Sequence, residues 1–337
     1  MDLFTHVLIA YLISFGIFGP NSLQYVAAGA LAGGLPDADA LLFPLARRFP
    51  LLRHHGITHS IFGVTVIAIV GAFLVPLLLG AVVGPAFAHG STLLYFLAME
   101  GGGLSHVFLD GFTHFAVPPL APFSKWELHL DADRAINLGT FAFTGFSFWL
   151  MLYERNRVPI PVWEATAWIL LAGYLAYLAV RGVGRWQAGR VARREGFNAV
   201  APTGNPFVFL LVEERKEGNV IRLRHDEFHL LSGLRRTGRT IEFPRTDLPP
   251  GPVPTENEAL QRSYFPALRQ GRMLDMTYHS AEVRSAPGCW EILWYSLEFT
   301  MLGRAAAVVA TVDTESGAVR TRTAWMSVRS FLSEKAG

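Results

Sequence analysis

Cysteine is almost missing from this chain. Cys289 stands alone, which excludes an intrachain disulfide and leaves nothing that demands an oxidising compartment. Charge is scarce as well: Asp, Glu, Lys and Arg make up 17% of the 337 residues, against 51% hydrophobic and a mean hydropathy of +0.31. That balance is too apolar for an ordinary soluble enzyme. The formal net charge is only +2, and no basic stripe interleaves with aromatics, so nothing points to nucleic acid. The opening "MDLFTHVLIAYLISFGIFG" lacks the basic region of a cleaved signal and carries His6 inside its apolar run. It is expected to be a retained helix.

The charge that is present gathers from Arg181 onward. Before it, apolar stretches at residues 3–19, 23–42, 60–83, 92–117, 136–153 and 162–180 approach the ~20 residues needed to cross about 30 Å of hydrocarbon. The pattern predicts an α-helical polytopic membrane domain of about six helices over residues 1–183, with the second stretch the weakest because it contains Pro36, Asp37 and Asp39. A basic juxtamembrane linker over 184–204 follows, its arginines and Trp186 suited either to anionic headgroups or to a solvated connection. Residues 205–330 alternate short β-branched and aromatic runs with Gly, Pro and acidic turns, which predicts a small, mainly-β cytoplasmic domain. With six spans, one side of the membrane carries ten Lys and Arg (Arg47, Arg48, Arg53, Lys125, Arg134, Arg181, Arg185, Arg190, Arg193, Arg194) and the other only Arg155 and Arg157. The positive-inside rule then places both termini in the cytoplasm.

Ionisable groups inside such stretches are costly and ordinarily pair or coordinate something. A single histidine at a helix end would simply find a local hydrogen bond. Here separate segments each deliver His or Asp toward the same, cytoplasmic end: His6, Asp37 and Asp39, then His54, His55 and His59 in "HHGITHS", then His106, Asp110 and His114. That convergence requires the second stretch to cross. His106, Asp110 and His114 are spaced i, i+4, i+8, so one helix face would present imidazole, carboxylate, imidazole, and Gly101 to Gly103 above them would let a neighbouring backbone approach. Carboxylate oxygen with neutral imidazole is the donor pair for zinc and similar divalent ions. Thr58 or His59 is expected to cap the helix that starts at Ser60. His55 has two roles open to it, as a ligand or as a contact to lipid phosphate.

The segments "THVLIAY", "GALAGGLPDADALL", "HHGITHS" and "SHVFLDGFTH" together resemble the YdjM-type family of membrane-bound, metal-dependent hydrolases, also described as LexA-binding inner-membrane proteins, over roughly residues 1–180. The β domain resembles the C-terminal extension of some members. In the family the middle motif commonly reads His-Arg-Gly-x-Thr-His-Ser, so His54 and His59 match while His55 replaces the arginine. The His-x-x-x-Asp step is more remotely similar to the zinc-dependent phospholipase C and single-strand nuclease group. That likeness implies phosphoester hydrolysis at a multinuclear zinc site, with Asp110 as a bridging ligand and His6 as the N-terminal contribution.

The leading expectation is therefore a membrane-embedded hydrolase. One to three divalent ions, zinc by preference, would be held by His6, Asp37, Asp39, His54, His59, His106, Asp110 and His114, with Asp110, His106 and His59 at the reacting centre. A metal-activated water would attack a phosphoester or lipid headgroup-type bond, with membrane lipids and a phospholipid or other phosphoester as partners. Two other classes stay open. One is a metal-binding scaffold or regulatory interaction protein with a protein partner, whose ion would be fully enclosed; the other is a metal or proton transporter, which would need polar residues continuing to the far side.

Overall fold

The computed structural model describes residues 2–42, 55–113, 116–134, 137–155, 157–236, 240–245, 248–271, 278–301 and 304–333. The chain divides into two units, Met1–Gly182 and Val183–Gly337.

The first unit is built of helices. α1 (Leu3–Phe18) starts where the Asp2 carboxylate accepts from the Thr5 amide at 3.0 Å, and stops at Gly19, whose φ of +71° only glycine adopts cheaply, in front of Pro20. α2 (Leu23–Gly34) runs back along α1. A Cβ on Gly29 would strike the Ser14 side chain, and one on Gly33 would strike Ala10 and the His6 carbonyl, so the two helices close together only because these positions lack side chains. After the 3-10 segment Pro36–Leu42 and a second at Ile57–His59, α3 (Ile61–Val82) begins at Ser60, whose own Oγ accepts from the Gly63 amide at 3.0 Å. The cap is thus Ser60 itself and neither Thr58 nor His59. α4 (Thr92–Asp110) packs on α2 with Gly102 against the Gly29 carbonyl and on α3 with Gly103 against Val64, while Gly101 faces open space. α5 (Leu138–Glu154) and α6 (Ile160–Glu195) complete the set.

Among the described residues six α-helical segments pack here, but they do not by themselves establish the expected six spans. Among the described residues three helices, α3, α4 and α6, are long and apolar enough to cross a membrane, or up to four if α1 and α2, bent by 109°, count as one broken span. The reason is the chain breaks. Gly19–Pro20 ends α1 after 16 residues, and Pro36 stops α2 after 12, a rise of only about 18 Å for the latter. α5, with 17 residues, rises about 26 Å, short of the hydrocarbon thickness. The long helices are nevertheless inside-out by the standards of a water-soluble bundle. Phe73, Leu77 and Ile169 are 63%, 68% and 70% exposed, while His6, His59, His106 and Asp133 are wholly buried. Hydrocarbon surroundings favour that arrangement and water does not.

A second buried polar group ties α6 to the turn before α5. Asp133 takes a hydrogen bond from Tyr177 Oη at 2.7 Å and from Asn137 Nδ2 at 3.2 Å, and lies 3.4 Å from Arg181, itself fully buried. The sequence shows Arg181 only as one more cation near a membrane face.

The second unit contains two antiparallel sheets. β1 (Ala199–Pro202), β2 (Val208–Glu217), β3 (Val220–His229) and β4 (Gly233–Arg235) follow one another, with β5 (Ile241–Pro244) on the remaining stretch of β3. β6 (His279–Ala286), β7 (Cys289–Met301), β8 (Arg304–Asp313) and β9 (Val319–Met326) form a meander. α7 (Glu256–Gln270) enters through a Thr255/Glu258 capping box and sets Leu260 and Tyr264 between Ile221 and Phe243 of one sheet and Ile292 and Trp294 of the other. A short α8 (Val328–Ser333) ends the described chain. The stretch read as a linker is helical as far as Glu195, where Ala188 and Ala192 pack on Phe197, Phe209 and Phe228.

Candidate metal centre

Four pieces of backbone converge at one end of the helical unit: the start of α1, the turn after α2, the turn before α3 and the last turns of α4. They bring Asp37, His59, His106 and Asp110 together so that one donor atom of each lies within 4.8 Å of all the others. Four of the separations are His59 Nε2–Asp37 Oδ1 at 3.5 Å, His106 Nε2–Asp37 Oδ1 at 3.7 Å, His106 Nε2–Asp110 Oδ2 at 3.2 Å and His59 Nε2–Asp110 Oδ2 at 3.6 Å. Four ligands at the usual zinc bond lengths of 2.0–2.1 Å would stand about 3.3–3.4 Å apart on the edges of a tetrahedron. Four of the six separations, at 3.2–3.7 Å, lie close to that spacing, and two imidazoles with two carboxylates are a donor set suited to a borderline divalent ion.

Each ring is aimed by its other nitrogen. His106 Nδ1 donates to the Gly33 carbonyl at 2.8 Å, so its lone pair is on Nε2, which is buried and makes no hydrogen bond among the described residues. His59 Nδ1 stands 3.1 Å from Thr58 Oγ1 and 3.3 Å from Asp39 Oδ2, and Thr58 donates its hydroxyl proton to that same carboxylate oxygen. Asp39 therefore sits behind His59, the outer position from which a carboxylate orients a ligating imidazole and raises its basicity. His6 does the same for Asp110: its Nε2 meets Oδ1 at 3.1 Å, and its ring stacks on His106 with centroids 3.8 Å apart. His55, at φ +60°, brings Nδ1 to 3.6 Å from Asp110 Oδ2 and is the outermost histidine, 17% exposed.

Electrostatics favour a cation. Burial alone would push His59 down, but the Asp37 and Asp39 carboxylates outweigh it and hold the imidazole at about 9. Burial likewise opposes ionisation of Asp37, and its contact with His59 wins, holding that carboxyl below the usual range. Three carboxylates, those of Asp37, Asp39 and Asp110, gather around one pocket, which favours a cation there.

Of the residues expected to be ligands, Asp37, His59, His106 and Asp110 form the quartet, while His6 and Asp39 stand next to it as orienting partners. His54 and His114 lie outside the described residues. α4 ends at Asp110, and the chain turns through Gly111 to Thr113, whose amide donates back to the Asp110 carbonyl. Sequence reasoning missed the Gly33 carbonyl and gave Thr58 the wrong task. Thr58 sits beside His59 in "GITHS", and a hydroxyl flanking a ligand histidine was the available signal; the Gly33 carbonyl had none.

Apolar helices that turn their greasy faces outward and a buried His/Asp quartet at one end define a membrane protein with a centre that can hold a metal ion. The chain belongs to the family described as YdjM inner membrane protein, whose model matches residues 1–188. Neither curated proteins nor solved structures returned a match.

Proposed function

We propose that this protein is a membrane-embedded, metal-dependent hydrolase that cleaves phosphoester or lipid headgroup-type bonds. The observation that supports the reading best is the quartet itself, four donor atoms all within 4.8 Å of one another, with the second nitrogen of each imidazole already committed. Held through Nδ1 by the Gly33 carbonyl, His106 turns Nε2 toward the Asp110 and Asp37 carboxylates at 3.2 and 3.7 Å, an approach that a shared cation would relieve.

The chemistry that a divalent ion, zinc by preference, supplies there is Lewis-acid activation of water and of an ester oxygen. His59, His106, Asp37 and Asp110 would hold it. His6 keeps Asp110 Oδ1 occupied, so that Oδ2 faces inward, and Thr58 and Asp39 keep His59 from rotating. Asp37 is 19% exposed, whereas the other three are at most 1% exposed, so water and substrate would arrive at the Asp37 edge, beside His55. The excess of Lys and Arg on the loops at this end supports a cytoplasmic site within reach of lipid headgroups.

A second reading, an enclosed structural ion in an interaction protein, draws on the burial of His59, His106 and Asp110. Hydrolysis separates the two. Purified protein should release product from a phosphodiester or phosphomonoester test substrate, lose that activity on dialysis against a chelator and regain it with zinc. Retained metal with no hydrolysis of either substrate favours the scaffold.

A further inference from the structure

The second unit carries an exposed edge that the metal centre does not use. Along Val183–Glu195 the buried Gly184, Ala188 and Ala192, spaced i, i+4, i+8, face the five-stranded sheet, while the also buried Gly189 lies beside the Arg185 and Arg193 side chains. The opposite face presents Val183, Trp186, Arg190, Arg193 and Arg194 to the outside. Arg190 lies over the Trp186 ring, 4.9 Å from its centroid, and Trp186 is 58% exposed. Gly184 is where the helix touches Phe209, since a Cβ there would strike that ring. Two residues before Phe209, the Phe207 carbonyl accepts from the Leu230 amide at 2.8 Å. The entry to β2 and the exit of β3 therefore lie together at the end of the sheet next to Gly184, and each ends in an outward apolar side chain: Phe207 is 45% and Leu231 89% exposed. In sequence, the apolar stretch 162–180 stops three residues before Val183.

We propose that this edge rests on a leaflet containing anionic lipids, with Phe207 and Leu231 among the upper acyl chains and Trp186, Arg190, Arg193 and Arg194 at the phosphates. Three features select lipid over another protein as the occupant. Two isolated apolar tips on short turns match insertion between acyl chains better than a continuous protein interface, which needs a broad packed patch. An amphipathic Trp flanked by arginines is the composition that settles at the headgroup level. The edge also begins three residues after an apolar stretch ends in the sequence, which tethers it within reach of a bilayer surface.

The test uses the full chain in vesicles. In a Cys289→Ser background, Leu231→Cys carries an environment-sensitive fluorophore, with Glu315→Cys in the β8–β9 turn as the reference. Vesicles are of phosphatidylcholine with brominated acyl chains, with or without phosphatidylglycerol. The expected result is quenching of the Leu231 probe, not of the Glu315 probe, in the phosphatidylglycerol vesicles, and loss of most of that quenching in pure phosphatidylcholine or when Arg190, Arg193 and Arg194 are changed to Gln. Phe207→Cys repeats the measurement should the Leu231 variant fold poorly. A probe at both tips as unquenched as the reference, or cross-linked to a second copy of the chain, overturns the proposal. Quenching indifferent to phosphatidylglycerol overturns its anionic part.

Discussion

His106 turns its Nδ1 onto the carbonyl oxygen of Gly33, 2.8 Å away, and by that bond presents Nε2 to Asp110 at 3.2 Å. One backbone carbonyl at the end of α2 thus decides which nitrogen of an α4 histidine faces the candidate ion. It also makes Gly33 answerable for two things, the α1–α2 approach and the aim of His106. Gly33→Ala would place a Cβ against Ala10 and the His6 carbonyl. Metal affinity is expected to fall about 10–100-fold, the usual effect of disturbing an outer-sphere partner, with metal stoichiometry restored at saturating ion. Calorimetric titration of the apo-protein reads both.

Asp110 and Asp39 are three-dimensional neighbours of the same histidines but are expected to behave differently. Asp110→Ala removes a donor of the quartet and should abolish stoichiometric metal and hydrolysis together. Asp39→Asn keeps a hydrogen-bond acceptor behind His59 and should keep one ion per quartet at a lower affinity. Elemental analysis of both variants decides the assignment; full metal content in Asp110→Ala would make Asp110 a packing acid only.

The raised pKa of His59, about 9 without an ion, gives metal uptake a pH dependence of known sign. The imidazole must be neutral to ligate, and below pH 9 it is protonated, so loading at pH 7 expels a proton. Apparent affinity should fall about tenfold per unit of acidification for that one proton. Titrations in buffers of different ionisation enthalpy count the protons released, and a count of zero would contradict the contact with Asp37 and Asp39.

Reporter fusions after Gly196 test the orientation. The ten-to-two excess of Lys and Arg leads to a cytoplasmic signal, and an external one would reverse the face on which substrate meets Asp37.

The candidate site was legible largely because ionisable residues stand out in apolar stretches. His6, Asp37, His59, His106 and Asp110 are conspicuous in the sequence on cost grounds alone, and all five meet. Ligand and orienting partner could not be told apart, because Asp39 and Asp37 share a motif and differ only in which side of His59 they face. The number of spans is not fixed by hydropathy for a local reason: hydropathy reads through Gly19–Pro20 and up to Pro36, whereas the backbone does not. The Asp133–Arg181 pair joins residues far apart in sequence through a turn whose course no pattern announces. In the second unit, short β-branched and aromatic runs between Gly, Pro and acidic turns pointed to the strands, but not to the helix Glu256–Gln270 that joins the two sheets into one core.

X-ray absorption at the metal edge of the purified, zinc-loaded protein tests the central claim most directly. The account predicts a single shell of nitrogen and oxygen scatterers at about 2.0–2.1 Å with the outer-shell signature of two imidazoles, and loss of bound zinc in His59→Ala. An ion bound with the same spectrum in that variant, or a shell containing sulfur at about 2.3 Å, would contradict it.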